Sequence, residues 1–209
     1  MVNLMVVDLY HGDRVTSFPR AYEAGIRGII HKATTGATGK DDAYSGRRAP
    51  ALKAGLLWGA YHWGTSANVS KQIDNFLSQA KPDEHTLVAL DFEASGSYTM
   101  SLDQAREFLT KIAEKLGRRA VLYSGSLIKE KLGSKNDAFF GSHRLWLAQY
   151  GPKPVCQKSW RSHWLWQYTD GESGPDPKTV DGLPGDAEGR LDCDSFDGSA
   201  AQLTSQWAS

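Results

Sequence analysis

The sequence predicts an α/β fold in which eight strands close into a single barrel. Short apolar segments alternate with amphipathic segments through the first part of the 209 residues, which is typical of β/α units. Three more strand-like segments then follow, joined by Gly- and Pro-rich connections instead of helices. An open doubly wound sheet is the competing architecture, but no glycine-rich phosphate loop follows the first strand.

Most of the predicted strands end in polar or turn-forming residues. The strands are predicted at 4–10, 28–33, 56–63, 87–94, 120–124, 144–150, 163–169 and 191–196. Helices are predicted at 18–24, 45–54, 68–80, 101–116 and 126–132. The helix at 101–116 is the best defined, because Ser101 and Gln104 form a capping-box pattern before one apolar stripe. The connection 170–190 has three Pro and five Gly, and such long loops are uncommon unless they are functional or mobile.

The segment 87–94 places two carboxylates in an apolar strand. Successive side chains of a strand point to opposite faces, so Asp91 and Glu93 share a face with the small Ala89. Both acids lie at the C-terminal end of the strand, where parallel α/β folds place their chemistry. A helix cap or an ion pair is the structural interpretation of the same residues. The Cα separation of roughly 6–7 Å suits an acid working beside a second carboxylate.

A barrel brings the strand ends together at one mouth, which is then rich in acids and aromatic rings. The residues collected there are Asp8, Tyr61, Asp91, Glu93, Tyr123, Gln149, Gln167 and Asp192. Close carboxylates raise the pKa of at least one of them. A carboxylic acid that stays protonated near neutral pH is the proton donor that a glycosidic oxygen needs. Lys32 is predicted either to keep one of these acids ionised or to form a salt bridge without a catalytic role.

Composition and motif spacing argue against several other functions. The 24 basic residues balance 24 acidic ones, so no basic field predicts binding to nucleic acid or an anionic membrane. No run approaches the roughly 18 apolar residues of a membrane span, and the N-terminus lacks the features of a signal peptide. The segment 192–198 echoes a calcium loop but lacks its bidentate Glu, and the six His have no zinc-binding spacing. No metal and no cofactor is therefore expected.

His62 is predicted to be a hydrogen-bonded residue at a strand end rather than a metal ligand. Cys156 and Cys193 do not form a disulfide framework, so their pairing stays open. The seven Trp and eight Tyr either fill the core or offer flat platforms for sugar rings.

Seven short motifs run in order along nearly the whole chain. They are Val7-Asp8-Leu9, Ile30-His31-Lys32-Ala33-Thr34-Thr35-Gly36, Gly59-Ala60-Tyr61-His62, Leu90-Asp91-Phe92-Glu93, Leu145-Trp146-Leu147-Ala148-Gln149-Tyr150, Leu165-Trp166-Gln167-Tyr168 and Asp192-x-Asp194-x-Phe196-x-Gly198. Together they resemble the family 25 glycoside hydrolases, which are lysozymes of the phage-endolysin, bacterial and fungal type. The resemblance departs from the family pattern at 10–12, and at Asp194, where Asn is usual.

The resemblance implies a flattened TIM-like barrel, with five β/α units followed by three strands, in one catalytic domain at 1–209. It implies cleavage of the β-1,4 bond between N-acetylmuramic acid and N-acetylglucosamine in peptidoglycan. The expected partner is the glycan strand of the cell wall, and the protein is expected to be a monomer without a separate wall-binding module. Without a visible signal peptide, phage lysis, a dedicated secretion route or a trimmed leader are the expected routes to the wall.

The resemblance also assigns roles residue by residue. Glu93 corresponds to the general acid/base, and Asp91 to a partner that attacks the anomeric carbon or orients the acetamido group of the substrate. Asp8 and Asp192 correspond to flanking acids. The residues expected to bind substrate are Tyr61, Tyr123, Gln167, Gln149, Lys32 and Trp63.

Two other functions compete with this one. A chitinase-like hydrolase on the same barrel would carry a longer run of alternating Asp before its catalytic Glu, and residues 86–93 lack that run. An inert barrel that binds wall sugars would have lost Asp91 or Glu93, and both are present.

Overall fold

The computed structural model describes residues 2–209, and its strands form a closed mixed barrel. The nine strands are β1 (Leu4–Leu9), β2 (Gly28–Thr35), β3 (Gly39–Lys40), β4 (Leu57–Trp63), β5 (Leu87–Asp91), β6 (Val121–Ser124), β7 (Leu145–Ala148), β8 (Leu165–Thr169) and β9 (Asp192–Ser195). All except the short hairpin strand β3 belong to the barrel, which closes where β1 pairs with both β2 and β9. The predicted closed α/β barrel of eight strands is confirmed.

The helices are α1 (Phe18–Glu23), α2 (Tyr44–Lys53), α3 (Val69–Ala80), α4 (Leu102–Leu116), α5 (Ser126–Leu132), α6 (Ala138–Gly141) and α7 (Ala200–Gln206). The first five match the predicted helices to within one residue at each end, and the capping box of Ser101 and Gln104 is confirmed. Strand β3 and helices α6 and α7 lie outside the predicted elements. Within the described residues, no helix combines the length and the apolar character needed to cross a membrane.

The direction of the strands explains why the N-terminal end of one strand meets the C-terminal ends of the others at one mouth of the barrel. The strands β1, β2 and β4 to β8 run parallel, whereas β9 is antiparallel to both of its neighbours. Asp192 is the first residue of β9 and pairs with Asp8 near the end of β1. The reversed strand therefore delivers its N-terminal residue to the edge where the other strands have their C-terminal ends.

Alternation along the strands fills the barrel with two kinds of residue. Val6 and Ala89 belong to one buried apolar cluster inside the barrel, while Val88 belongs to the larger cluster beneath the surrounding helices. Two residues further along their strands, on the same inward face, stand Asp8 and Asp91. The interior is thus apolar at one end and acidic at the other.

The apolar end of the barrel is sealed by the segment that contains α7. Leu203 and Trp207 are buried in the interior cluster, and Nε1 of Trp207 donates a hydrogen bond of 2.8 Å to the carbonyl oxygen of Trp58. The indole lies against Gly28 at the start of β2, where an added Cβ would come within 2.5 Å of the ring. A side chain at position 28 therefore has no space while Trp207 is in place.

We expect Gly28→Ala to lower the free energy of unfolding by about 1–3 kcal/mol, because the new methyl group overpacks the barrel end. Gly46→Ala is the matched control, since an added Cβ there meets nothing within 4 Å. In helix α2 that change should raise stability by about 0.5–1 kcal/mol. Urea unfolding of both variants measures the difference. Equal stability of the Gly28 variant and the native protein would contradict the packing of Trp207 described above.

Candidate active site

A cavity of about 210 Å³ occupies the acidic end of the barrel. It is lined by Asp8, Tyr61, Trp63, Asp91, Glu93, Tyr123, Trp146, Tyr150, Gln167, Asp170 and Asp192. We call it the acid cavity. A larger groove of about 440 Å³ lies beside α1 and α2, but Arg47 is the only charged residue of its lining within the described part of the chain. The clustering of acids therefore distinguishes the smaller cavity as the place for chemistry.

Eight of the ten site residues expected from the sequence line the acid cavity. Lys32 and Gln149 do not. The Nζ atom of Lys32 lies 4.6 Å from the ring centroid of Trp63, beside the cavity wall. Gln149 lies beyond the end of β7, where strand alternation no longer orients it, and its Oε1 accepts a hydrogen bond from Lys129.

Three lining residues were not expected, namely Trp146, Tyr150 and Asp170. Asp170 directly follows β8 and Tyr150 follows β7 by two residues, so both obey the strand-end pattern that identified the other site residues. Trp146 lies within β7 and belongs to the interior cluster. Its place on the inward face of a barrel strand is the sequence feature that could have predicted it as a lining residue.

Glu93 lies two residues beyond β5, and neighbouring strands hold the backbone there. The amide of Phe92 donates to the carbonyl oxygen of Tyr123 at 2.9 Å, and the hydroxyl of Ser124 donates to the carbonyl oxygen of Phe92 at 2.7 Å. On the other side, the amide of Gly64 donates to the carbonyl oxygen of Asp91 at 2.9 Å. The segment that carries both acids is therefore fixed from two sides, although the predicted strand 87–94 ends at Asp91.

A hydrogen-bond network organises one wall of the acid cavity around Gln167. Its Nε2 donates to Oδ2 of Asp8 at 2.8 Å. Its Oε1 accepts from the hydroxyl groups of Tyr123 and Tyr150, both at 2.8 Å. Because the amide is engaged at both ends, Gln167 fixes the orientation of one carboxyl and two phenol rings together.

Asp194 lies one inward position below Asp192 on β9 and is fully buried. Its Oδ1 accepts a hydrogen bond of 2.6 Å from Nε1 of Trp146, while its Oδ2 has no partner within the described residues. Burial raises the pKa of Asp194 well above its usual value, although the bond from Trp146 opposes this, and the charge of Asp192 adds to the rise. Burial, followed by the charge of Asp194, likewise raises the pKa of Asp8. Two neighbouring carboxyls in so dry a place favour protonation of at least one of them.

Asp91 and Glu93 differ in their exposure to solvent. Asp91 is 3% exposed, and its Oδ1 is buried without a hydrogen-bond partner among the described residues. Burial raises its pKa well above the usual value, the charge of Glu93 adds to this, and the charge of Lys32 opposes it. Glu93 is partly exposed, and burial raises its pKa while Lys32 again opposes the change. Glu93 is therefore the acid that both holds a proton more strongly than a free Glu and remains open to solvent.

Asp192 completes the set of acids at the cavity. Burial raises its pKa well above the usual value, and the charge of Asp8 adds to the rise. Among residues 2–209, no Lys or Arg nitrogen lies within 4.0 Å of a carboxylate oxygen of Asp8, Asp91, Glu93, Asp192 or Asp194. The positive charge of Lys32 therefore acts on these carboxyl groups from a distance, without forming an ion pair with any of them.

His62 is confirmed as a hydrogen-bonded residue of the strand end. Its Nδ1 lies 2.7 Å from Oγ1 of Thr34, and its Nε2 lies 3.1 Å from Oε1 of Gln72. Burial lowers the pKa of His62 to about 4, so the ring is neutral at ordinary pH. The two cysteines are free thiols, of which Cys193 is buried.

An α/β barrel whose mouth combines several buried carboxyls with aromatic rings defines the class of glycoside hydrolases that use carboxyl groups as acid and nucleophile or base. Comparison with known families agrees with this class. The model of the glycosyl hydrolases family 25 matches residues 7–176. The chain belongs to glycosyl hydrolases family 25, and the resemblance noted in its motifs is confirmed.

Individual relatives are similar over almost the whole chain. Lysozyme M1 of Streptomyces globisporus is 26% identical over an alignment of 212 residues, which covers 94% of this chain and 69% of that protein. The crystal structure of the bacterial lysozyme from Streptomyces coelicolor superposes with a TM-score of 0.84 at 27% identity, covering 99% of this chain and 97% of that one. A muramidase from Trichobolus zukalii gives a TM-score of 0.77 at 27% identity, with 97% of both chains covered.

The raised pKa of Asp194 predicts a specific effect on stability. A carboxyl whose pKa is higher in the folded protein retains its proton to higher pH there than in the unfolded chain. The free energy of unfolding therefore falls as pH rises above the usual Asp value of 3.8. Asp194→Asn preserves an oxygen acceptor for Trp146 and removes the titration, so its stability should fall less steeply, by up to about 1.4 kcal/mol per pH unit.

Thermal and urea unfolding across a pH series measures this slope for the native protein and the variant. Asp74→Asn, the same chemical change on the exposed face of α3, is the control and should keep the native slope. The buried histidines contribute equally to all three proteins and cancel in the comparison. Parallel stability curves for the native protein and the Asp194 variant would show that Asp194 is already ionised in the folded state.

Proposed function

We propose that this protein is a peptidoglycan hydrolase of the lysozyme type, an N-acetylmuramidase. It would cleave the β-1,4 bond between N-acetylmuramic acid and N-acetylglucosamine. The observation that carries the proposal is the pair of Asp91 and Glu93 in the acid cavity, one deeply buried and the other partly exposed. The names of its relatives, lysozyme and muramidase, support the same substrate. A chitinase-like hydrolase and an inert sugar-binding barrel are not favoured, since both acids are present and these relatives are wall-degrading enzymes by name.

In the proposed mechanism, Glu93 is the general acid. Burial raises its pKa and so favours the protonated carboxyl group, whose proton passes to the glycosidic oxygen as the bond from that oxygen to the anomeric carbon breaks. The N-acetylglucosamine portion leaves as the alcohol. As that bond breaks, either Asp91 or the oxygen of the substrate's own acetamido group forms a bond to the anomeric carbon. Glu93, now a carboxylate, then takes a proton from the water that displaces this group from the anomeric carbon, and the two inversions retain configuration overall.

Asp91 is the proposed partner at the anomeric carbon. Its unpartnered Oδ1 is available either to attack that carbon directly or to accept a hydrogen bond from the acetamido group of the substrate. The first route requires an ionised carboxylate, which burial and the charge of Glu93 oppose and the charge of Lys32 favours. Both routes place negative charge or electron density beside the developing positive charge of the sugar ring.

The remaining lining residues are proposed to hold the sugar. Asp8 and Asp192 flank the reacting acids, and the rings of Tyr61, Trp63 and Tyr123 offer apolar surfaces with polar edges to a pyranose ring. Gln167 orients its neighbours through the network described above. Residues 1–209 are proposed to act as one catalytic domain, as a monomer, on glycan strands of the cell wall.

Glu93→Gln should reduce kcat for peptidoglycan cleavage by about 10²–10⁴-fold, because the amide has the shape of the acid but no proton to give. Borohydride reduction followed by mass analysis of the products identifies the new reducing ends. Native protein should yield muramitol. Glu84→Gln, at a side chain that is 83% exposed, is the control and should retain native activity. Release of glucosaminitol, or a Glu93 variant with a tenth of native activity, would contradict the proposal.

Lys32→Met should shift the alkaline limb of the kcat/KM profile to higher pH. The charge of Lys32 lowers the pKa of Glu93, so its removal raises that pKa and keeps the general acid protonated further into the alkaline range. Lys158→Met, at an exposed loop position, is the control for loss of one positive charge. An alkaline limb at the same pH in both variants would exclude electrostatic control of Glu93 by Lys32.

A further inference from the structure

A second cavity of about 330 Å³ adjoins the acid cavity. It is lined by Glu93, Gly125, Ser126, Lys129, Ala148, Gln149 and Tyr150. Glu93 and Tyr150 belong to the linings of both cavities, so the two cavities lie side by side at these residues. We call the second part the lysine cavity. A polymer that places a bond at Glu93 therefore extends into the lysine cavity on one side.

The charges of the two cavities are opposite in character. Within the part of the chain that the structure describes, five carboxyl residues and no cation line the acid cavity. In the lysine cavity, Lys129 is the one basic residue and Glu93 the one acid of the lining among residues 2–209. A charged group of the substrate is thus attracted at one defined place in the cleft.

Lys129 is held in position by neutral partners. Its Nζ donates a hydrogen bond of 2.6 Å to Oε1 of Gln149, and Nε2 of Gln149 donates to the carbonyl oxygen of Lys153 at 2.8 Å. The amide of Val155 also donates to Oε1 of Gln149 at 3.2 Å. Within the described residues no carboxylate lies within 4.0 Å of Nζ, so two of its three donor positions remain for a ligand.

Tyr150 forms the wall between the two cavities and is 41% exposed. Its hydroxyl group is fixed by the hydrogen bond to Gln167, so the ring cannot turn away from the cleft without losing that bond. A sugar that stacks on this ring lies between Glu93 and Lys129. Glu93 and Lys129 line the same cavity, so a sugar bound there lies near both of them.

We propose that the lysine cavity is a specificity subsite in which Lys129 binds a carboxylate carried by the sugar next to the scissile bond. This inference rests on the proposed muramidase function. Among the sugars of the glycan strand, N-acetylglucosamine is neutral, whereas the muramic acid unit carries a carboxylate on its lactyl ether or on the peptide attached there. Lys129 thus distinguishes an acidic glycan from a neutral one, and Gln149 is its positioning residue.

The test compares native peptidoglycan with peptidoglycan whose carboxylates have been converted to neutral methylamides. The native protein should show a KM that is about 10–100-fold higher on the neutral material, as expected for loss of a charge-assisted hydrogen bond. Lys129→Gln should raise KM on native peptidoglycan by a similar factor and should lose most of the difference between the two substrates. Lys129→Arg, which keeps the charge, should restore part of that difference.

Lys131→Gln is the matched control, because Lys131 lies on the same helix, α5, but pairs with Glu130 on the surface. This variant has the same net charge as Lys129→Gln and should keep the native ratio of the two KM values. Strands stripped of peptides by an amidase carry only the lactyl carboxylate. The KM on stripped strands is then compared with the KM on the methylamides of the same strands. A difference between these two KM values identifies the lactyl carboxylate as the ligand. Equal values identify a carboxylate of the peptide.

The inference is overturned if Lys129→Gln keeps the native ratio of KM values, or if it lowers kcat and raises KM equally on both substrates. The second result would mean that Lys129 only supports the local structure. In either case muramitol release by the native protein still supports the proposed function. Absence of muramitol from every substrate would instead contradict the muramidase proposal itself.

Discussion

The barrel mouth buries more carboxyl groups than nearby cations neutralise, and the rest of the site depends on the cost of burying them. Transfer of an ionised carboxylate out of water costs several kcal/mol unless a partner compensates. Hydrogen bonds reach two of these groups, from Gln167 to Asp8 and from Trp146 to Asp194. These hydrogen bonds offset only part of the cost of burying the charges. Protonation of the carboxyl groups removes the rest of that cost, and this is why burial raises their pKa values.

Depth in the barrel gives the acids different environments. Asp194 is fully buried and Asp91 is 3% exposed, whereas Glu93 is open to solvent on one side. Acids whose environments differ in this way lose their protons at different pH values, which is how one site provides both an acid and a carboxylate. Lys32 does not line the cavity, but its positive charge opposes the rise in the pKa of both Asp91 and Glu93.

Much of this arrangement follows from the period of the strands. Alternation correctly places Asp91 on the inward face with Ala89, and the strand-end pattern identifies eight lining residues of the acid cavity. Gln149 follows β7 directly but lines the adjoining lysine cavity instead of the acid cavity, because the chain beyond Ala148 follows loop geometry. The bond between Trp146 and Asp194 joins strands 48 positions apart, so no local pattern indicates it. Helix α7, by contrast, has a capping box at Ser199 and Gln202 of the kind that identified α4.

The closure of the barrel by β9 and α7 has a consequence for how the protein is made. Strand β1 pairs with β9, so Asp8 meets Asp192 only after more than 180 further residues have followed it. Until that segment leaves the ribosome, β1 has a free edge and the apolar end of the interior lacks Trp207. Closure of the ring during synthesis is therefore a late event, and a nascent chain shorter than this has neither a sealed core nor a complete set of acids.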